Sequence, residues 1–237
     1  MAHTTGTLNS ATNLAPQANE LIAKIRDLRL TYLPKQRCES LVSAVREVDH
    51  NAVSGIFIEA GCALGGSTIL IASTMLPDRK LSVYDVFGMI PPPTDYDPPE
   101  VHNRYSVIRS GESRGIRGDT YYGYQDNLYD TVKKNLQEFN CLTENVVLIK
   151  GLLQETMEIT APVALAHIDV DWYDPVKCAL NRIAPWLSIG GIIILDDYSD
   201  WGGCKKAADE FLVQHGNEFI TETIKGSLKL TRISAAT

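Results

Sequence analysis

From about residue 53 onward, the hydrophobic positions come in short unbroken runs rather than in stripes. "SGIFIEAG", "KLSVYDVF", "NVVLIKG", "VALAHIDVD" and "GGIIILDDY" are each dense in aliphatic residues. Runs of that length read as strands buried on both faces. Between most of them the rhythm turns helical, over "GGSTILIASTML" and over 125–139, 176–187 and 203–214. Strands alternating with helices predict a parallel sheet with both faces covered. The tail, "EFITETIKGSLKLTRIS", predicts two strands around Gly226–Ser227, a hairpin at the sheet edge.

The N-terminal pattern is different. "NELIAKIRDLRLTY" sets Leu21, Ile22, Ile25 and Leu28 on one helical face, and Pro34 punctuates it. "CESLVSAVREV" repeats the pattern through Leu41, Val42, Val45 and Val48. These stretches predict a flexible arm to about residue 17 and a helical cap within 1–50, ahead of a domain over 51–237. The cap is expected to cover a site or to form the contact of a homodimer.

One segment, 88–124, fits neither rhythm. It contains Pro91–Pro93, Pro98, Pro99, several glycines and a run of tyrosines. A loop this long inside a compact domain is usually functional, and the aromatic residues argue against simple disorder. The segment is expected to be a lid, with His102, Tyr121 and Tyr122 as its substrate contacts.

The 237 residues suit one α/β domain with an added segment. A formal charge of −7 argues against nucleic acid as a partner, because phosphate binding needs a basic face. Five scattered cysteines without CxxC spacing read as reduced thiols, which places the chain in the cytoplasm. The first residues lack a basic-plus-apolar leader pattern, and no apolar run reaches the roughly 20 residues that span a bilayer. No membrane partner is expected.

The chemistry gathers where strands end. In "FIEAGCALGGST" a strand runs out at Glu59, and Gly61, Gly65 and Gly66 open a turn into a helix. Glycine lets a backbone approach a ligand where a Cβ would clash, although a tight strand–helix turn needs glycine as well. Glu59, Gly61, Gly65 and Ser67 are the candidate ligand contacts of this turn. Asp85 ends the second strand, the position from which a carboxylate accepts ribose hydroxyls. NAD and S-adenosylmethionine both carry such a ribose. The spacing GxxxGG is not the dinucleotide fingerprint, and an acidic Glu59 favours a ligand with a positive charge, such as a sulfonium.

Asp169 ends the fourth strand, and Asp196 and Asp197 end the fifth. Ligands of parallel sheets sit outside the carboxyl ends of the strands, so these three carboxylates are expected to converge. Clustered carboxylates repel unless protonated or bound to a cation, and an all-oxygen set with open positions suits Mg²⁺. Asp171 is positioned to orient a ligand. Asp174 is expected to be a helix N-cap, since Pro175 suits the first helical position. His167 reads as a core residue. "DVD" also matches the short DxD that holds a metal and a nucleotide sugar in some glycosyltransferases.

Taken together, "IEAGCALGGS", "DVFGMIPPP", "GDTYYGYQDNL", "KGLLQETM", "HIDVDWYDP" and "GGIIILDDYSDW" resemble the macrocin O-methyltransferase family of S-adenosylmethionine-dependent sugar O-methyltransferases. The resemblance implies a Rossmann-like class I methyltransferase fold, with a seven-stranded, mostly parallel sheet. It implies Mg²⁺ on Asp169, Asp196 and Asp197, and donor contacts at the glycine turn, at Asp85 and at Gln154–Glu155. It also implies a sugar hydroxyl of a glycoside or saccharide as acceptor, with Asp169 best placed to take its proton. Relatives commonly carry Asp-Gly-Asp where this chain has "DVD". The rival readings are a DxD glycosyltransferase, a catechol-type O-methyltransferase and a non-catalytic nucleoside-binding module.

Overall fold

A computed structural model describes residues 10–234, with side chains from residue 17. The chain runs α1 (Ser10–Asp27), α2 (Lys35–His50), β1 (Ile56–Ala60), α3 (Gly66–Thr74), β2 (Leu81–Asp85), α4 (Pro99–Arg109) and α5 (Leu128–Glu138). It continues as β3 (Val146–Lys150), α6 (Leu153–Thr156), β4 (Val163–Ile168), α7 (Tyr173–Ile183), β5 (Leu187–Leu195), α8 (Gly202–His215), β6 (Phe219–Ile224) and β7 (Ser227–Arg232).

The strands form one seven-stranded sheet in the order β3-β2-β1-β4-β5-β7-β6. The first five are parallel, and β7 enters antiparallel between β5 and β6. The hairpin therefore supplies an interior strand as well as the edge, and its turn is Lys225–Gly226. Order reverses between β1 and β4, which opens the crevice where ligands of such sheets bind.

Each face of the sheet has its own core. Phe57, Leu81, Val83, Leu165, Ile192 and Ile194 pack under α1, α2, α3 and α5. Ile58, Ala60, Ala166, Ile168, Ile193 and Leu195 pack under α7 and α8. Alternate residues of one strand thus feed opposite cores, which is why the strands read as continuous apolar runs.

Three expectations change. The arm expected to about residue 17 is helical from Ser10; residues 1–9 lie outside the described residues. Leu28, expected on the core face, is 52% exposed because α1 ends at Asp27. The lid segment is not a loop throughout. Pro99 takes the first turn of α4, where a missing N–H costs nothing, and α4 packs on α8.

Candidate active site

Asp169 follows directly on β4, where its N–H donates to the carbonyl of Ala60 (2.8 Å). Asp196 follows β5, where its N–H donates to the carbonyl of Ile168 (3.0 Å). The sheet ladder therefore places both backbones side by side, and Asp197 comes one residue on. One carboxylate oxygen from each of Asp169, Asp196 and Asp197 lies within 4.8 Å of the others. The convergence predicted from the strand ends is present.

The charges in this cluster are managed unevenly. Burial, then the charges of Asp197 and Asp196, pushes the Asp169 carboxyl well above the ordinary range. Burial, then Asp171 and Asp196, does the same to Asp197. Asp196 has partners of its own. Its Oδ2 accepts from Arg37 Nη1 (2.8 Å) and its Oδ1 from Ser227 Oγ (2.9 Å). Oxygen-only donors this close, in the absence of any ion pair on Asp169 or Asp197 among the described residues, fit a hard divalent cation.

Asp171 lies beside the cluster. Its backbone is left-handed (φ 56°), a strained setting for a residue with a Cβ. Its N–H donates to Asp197 Oδ2 (3.2 Å). Burial pushes its carboxyl up to about 6, against the opposing pull of Arg104 and a hydrogen bond from Trp201.

A cavity of about 790 Å³ lies over these residues. The three aspartates, Asp171 and Asp174 line one side; Gly61, Asp85 and Gly151–Gln154 line another. Tyr32, Arg104, Tyr121 and Tyr122 form the wall contributed by the cap and lid, and Trp201 stands at 5.5 Å from Trp172 in an edge-to-face pair. Thr94, also on the wall, has a buried hydroxyl with no hydrogen-bond partner.

Other predicted contacts sit elsewhere. Glu59 is fully buried on the α3 side of the sheet, accepting from Thr68 Oγ1 and facing His167 Nδ1 (3.2 Å). It ties β1 to α3 and β4 rather than facing the cavity, and His167 is a core residue as expected. Gly65 and Ser67 are not among the lining residues. Gly65 (φ 86°) caps α3, and a Cβ there would crowd Val132. Gly61 does line the cavity, but its own constraint is the sheet: with φ 84°, a Cβ would overlap the Asp169 carbonyl.

Asp85 is at the cavity but already engaged. Its Oδ2 accepts from the N–H groups of Cys62 (2.8 Å) and Ala63 (3.3 Å), and its Oδ1 from Phe87 (2.6 Å). A carboxylate has about four acceptor positions, so room for one ribose hydroxyl remains. Burial raises its carboxyl above the ordinary value, and the three N–H bonds pull it back down. Gln154 lines the cavity while Glu155 is exposed outside it. Tyr121 and Tyr122 line it; His102 is exposed and hydrogen-bonds the Thr94 carbonyl (3.1 Å) instead.

Asp174 is not an N-cap, because α7 begins one residue earlier, at Tyr173. The capping carboxylate comes from the lid: Asp97 Oδ1 accepts from the Tyr173 N–H (2.8 Å). Asp97, Arg37, Arg104 and Trp201 were not singled out by sequence reasoning. Only Arg37 left a signal, as an arginine on the face that carries Cys38, Leu41 and Val45.

A Rossmann-like sheet with a cavity over the carboxyl ends of β1, β2, β4 and β5 is the architecture of class I O-methyltransferases. The chain belongs to the macrocin O-methyltransferase (TylF) family, whose model matches residues 23–226. It is 28% identical over 193 residues to a demethyldecarbamoylnovobiocin O-methyltransferase of Streptomyces niveus, covering 76% of this chain and 67% of that one. It is 27% identical over 193 residues to a mycinamicin III 3''-O-methyltransferase of Micromonospora griseorubida, covering 78% and 71%. The solved structure of the O-methyltransferase NovP superimposes with a TM-score of 0.78 at 21% identity, covering 95% of this chain and all (100%) of that one. Methyl transfer displaces the glycosyltransferase and non-catalytic readings.

Proposed function

We propose that this O-methyltransferase moves the methyl group of S-adenosylmethionine to a sugar hydroxyl and uses Mg²⁺ to do so. The convergence of Asp169, Asp196 and Asp197 on one side of the cavity is the observation that carries this reading. The sugar acceptor rests on the family and on relatives named for glycosylated antibiotics.

The donor's place is the side formed by Gly61, Asp85 and Gln154, where the remaining acceptor position of Asp85 takes a ribose hydroxyl. The acceptor's place is between the aspartates and the wall of Trp201, Tyr121 and Tyr122. Asp169, Asp196 and Asp197 would hold the divalent cation, which would supply charge stabilisation for a hydroxyl that loses its proton, and the bound sulfonium would supply an electrophilic methyl and leave as the neutral thioether. Asp169 is the residue that takes that proton, since it combines a place in the triad with exposure to the cavity. Asp171, held in place by Trp201 and its strained turn, hydrogen-bonds the acceptor. Thr94 offers its unpartnered hydroxyl to the same ligand. Holding two reactants in line contributes roughly 7–11 kcal/mol to catalysis of this kind, and the lid excludes competing water. The protein functions in the cytoplasm as a homodimer.

Labelled S-adenosylmethionine, offered with Mg²⁺ and separate panels of glycosides and catechols, tests the reading. Label is expected in glycosides and in none of the catechols, and EDTA is expected to stop transfer. Transfer to catechols alone would replace the acceptor class, and full transfer in EDTA would remove the metal.

A further inference from the structure

Asp196 differs from its two neighbours in the triad, because a cation of the protein itself already sits on it. Arg37 reaches it from α2, across 159 positions of sequence. The Arg37 side chain is only 9% exposed and that of Asp196 only 6%. The same Nη1 donates to Asp200 Oδ2 (2.6 Å), and Nε donates to the Lys225 carbonyl (3.0 Å) in the β6–β7 turn. Gly226 adjoins this guanidinium so closely that a Cβ there would press on Nη2. Arg37 is thus fixed from three directions and aimed at one oxygen of a candidate metal ligand.

We propose that Arg37 is a built-in counter-cation for the metal site: it holds Asp196 in the ligand position when the divalent cation is away, and it offsets the third carboxylate of the triad. This inference rests on the reading that Asp169, Asp196 and Asp197 share Mg²⁺. Arg37 also borders the cavity, but its Nη1 and Nε are spent on Asp196, Asp200 and the Lys225 carbonyl, so it is a positioning residue in this account, acting through Asp196.

The physical argument is one of competing compensation. A buried carboxylate stripped of its only cation is strongly destabilising. In the resting protein Arg37 prevents that for Asp196. Mg²⁺ brings a second source of positive charge to the same carboxylate, so the guanidinium and the metal each weaken the other's hold. Such coupling is reciprocal by thermodynamic necessity. Without Arg37, the protein has more to gain from the metal and binds it more tightly.

The test compares wild-type protein, Arg37→Met and Arg37→Lys by thermal unfolding in EDTA and in saturating Mg²⁺, with Mg²⁺ affinity measured by calorimetry. Arg37→Met is expected to lose on the order of 10 °C of Tm in EDTA and less than half of that in Mg²⁺. Its affinity for Mg²⁺ is expected to rise roughly tenfold, within the usual span for coupled sites. Folding of Arg37→Met only when Mg²⁺ is present is the same result in its extreme form. Arg37→Lys keeps a cation near Asp196 but loses the Nε bond to the Lys225 carbonyl, and it is expected to tighten Mg²⁺ binding by less than Arg37→Met does. An equal loss of Tm with and without Mg²⁺ would mean that Arg37 only packs α2 against the sheet, and weaker binding of Mg²⁺ by Arg37→Met would mean that it preorganises Asp196 without offsetting its charge; either result overturns the counter-cation role. Tightening by Arg37→Lys as large as that by Arg37→Met overturns the role of charge. If wild-type protein neither binds Mg²⁺ nor is stabilised by it, the metal reading and this inference fall together. If wild-type protein binds and Arg37→Met behaves as a plain structural loss, only this inference falls.

Discussion

Two acidic sites lie at the carboxyl ends of the same sheet, and they are built in opposite ways. Asp85, the last residue of β2, is closed by three backbone N–H groups, one from Phe87 just beyond it and two from Cys62 and Ala63 in the turn after β1. Asp169 and Asp197, after β4 and β5, face each other with no cation among the described residues, and repulsion joins burial in raising both carboxyls. A carboxylate satisfied by amides fixes a loop and keeps one acceptor position, the one proposed for a ribose hydroxyl. Carboxylates left to repel one another are the setting in which we propose a cation. The same side chain on the same sheet thus meets two environments, set by whether backbone N–H groups of the neighbouring turn reach it.

The largest expected effect breaks the open site. Asp169→Asn removes a ligand and the proposed proton acceptor together, so turnover should fall by about 10²–10⁴ and excess Mg²⁺ should not restore it. Asp197→Asn should instead raise the Mg²⁺ requirement and recover part of its rate at saturation. Steady-state kinetics across a Mg²⁺ titration separates the two. Rescue of Asp169→Asn by metal would move the proton to Asp171.

Next comes the closed site. Asp85→Ala orphans the N–H groups of Cys62, Ala63 and Phe87, so it should lower stability and weaken donor binding by about 1.5–3 kcal/mol each, without changing the Mg²⁺ requirement. Calorimetry with S-adenosylmethionine, beside a denaturant titration, checks both numbers. An altered Mg²⁺ requirement would show that the two sites are not separate.

The smallest effect concerns the wall they share. Arg29 holds Asp119 through two contacts (2.6 and 2.7 Å), joining the cap to the tip of the lid at the surface. Arg29→Ala should cost no more than about 1 kcal/mol and should speed hydrogen exchange over 115–122. Unchanged exchange there would assign the hold on the lid to Tyr32, whose ring meets that of Tyr122 edge-on at 5.7 Å.

How much of this was legible follows the range of the interactions. The strands and the aspartates that end them are local features, and they stand in the sequence as they stand in the fold. Glu59 was misplaced for a physical reason. A strand buried on both faces shows no alternation, so nothing in "FIEA" tells which face its carboxylate takes. Asp97 was invisible as a cap because its partner, Tyr173, lies 76 positions away. Asp174, beside Pro175, mimicked the local signature of a cap that the fold takes from elsewhere. Arg37 left only its anomaly on an apolar stripe, while its reason for being there, Asp196, became visible when α2 was laid against β5 and β7.

The hairpin that brings β7 between β5 and β6 has a consequence for biosynthesis. Ser227 and the Lys225 carbonyl complete the surroundings of Asp196 and Arg37, so the setting of Asp196 is finished by residues made after all three aspartates. Chains are made and begin to fold from the N-terminus. A nascent chain that already carries Asp169, Asp196 and Asp197 still lacks the Ser227 hydroxyl and the turn carbonyl that steady Asp196 and Arg37. The proposed metal site is thereby completed only after the β6–β7 turn has been made, and a chain released before residue 225 has the three aspartates without that support for Asp196.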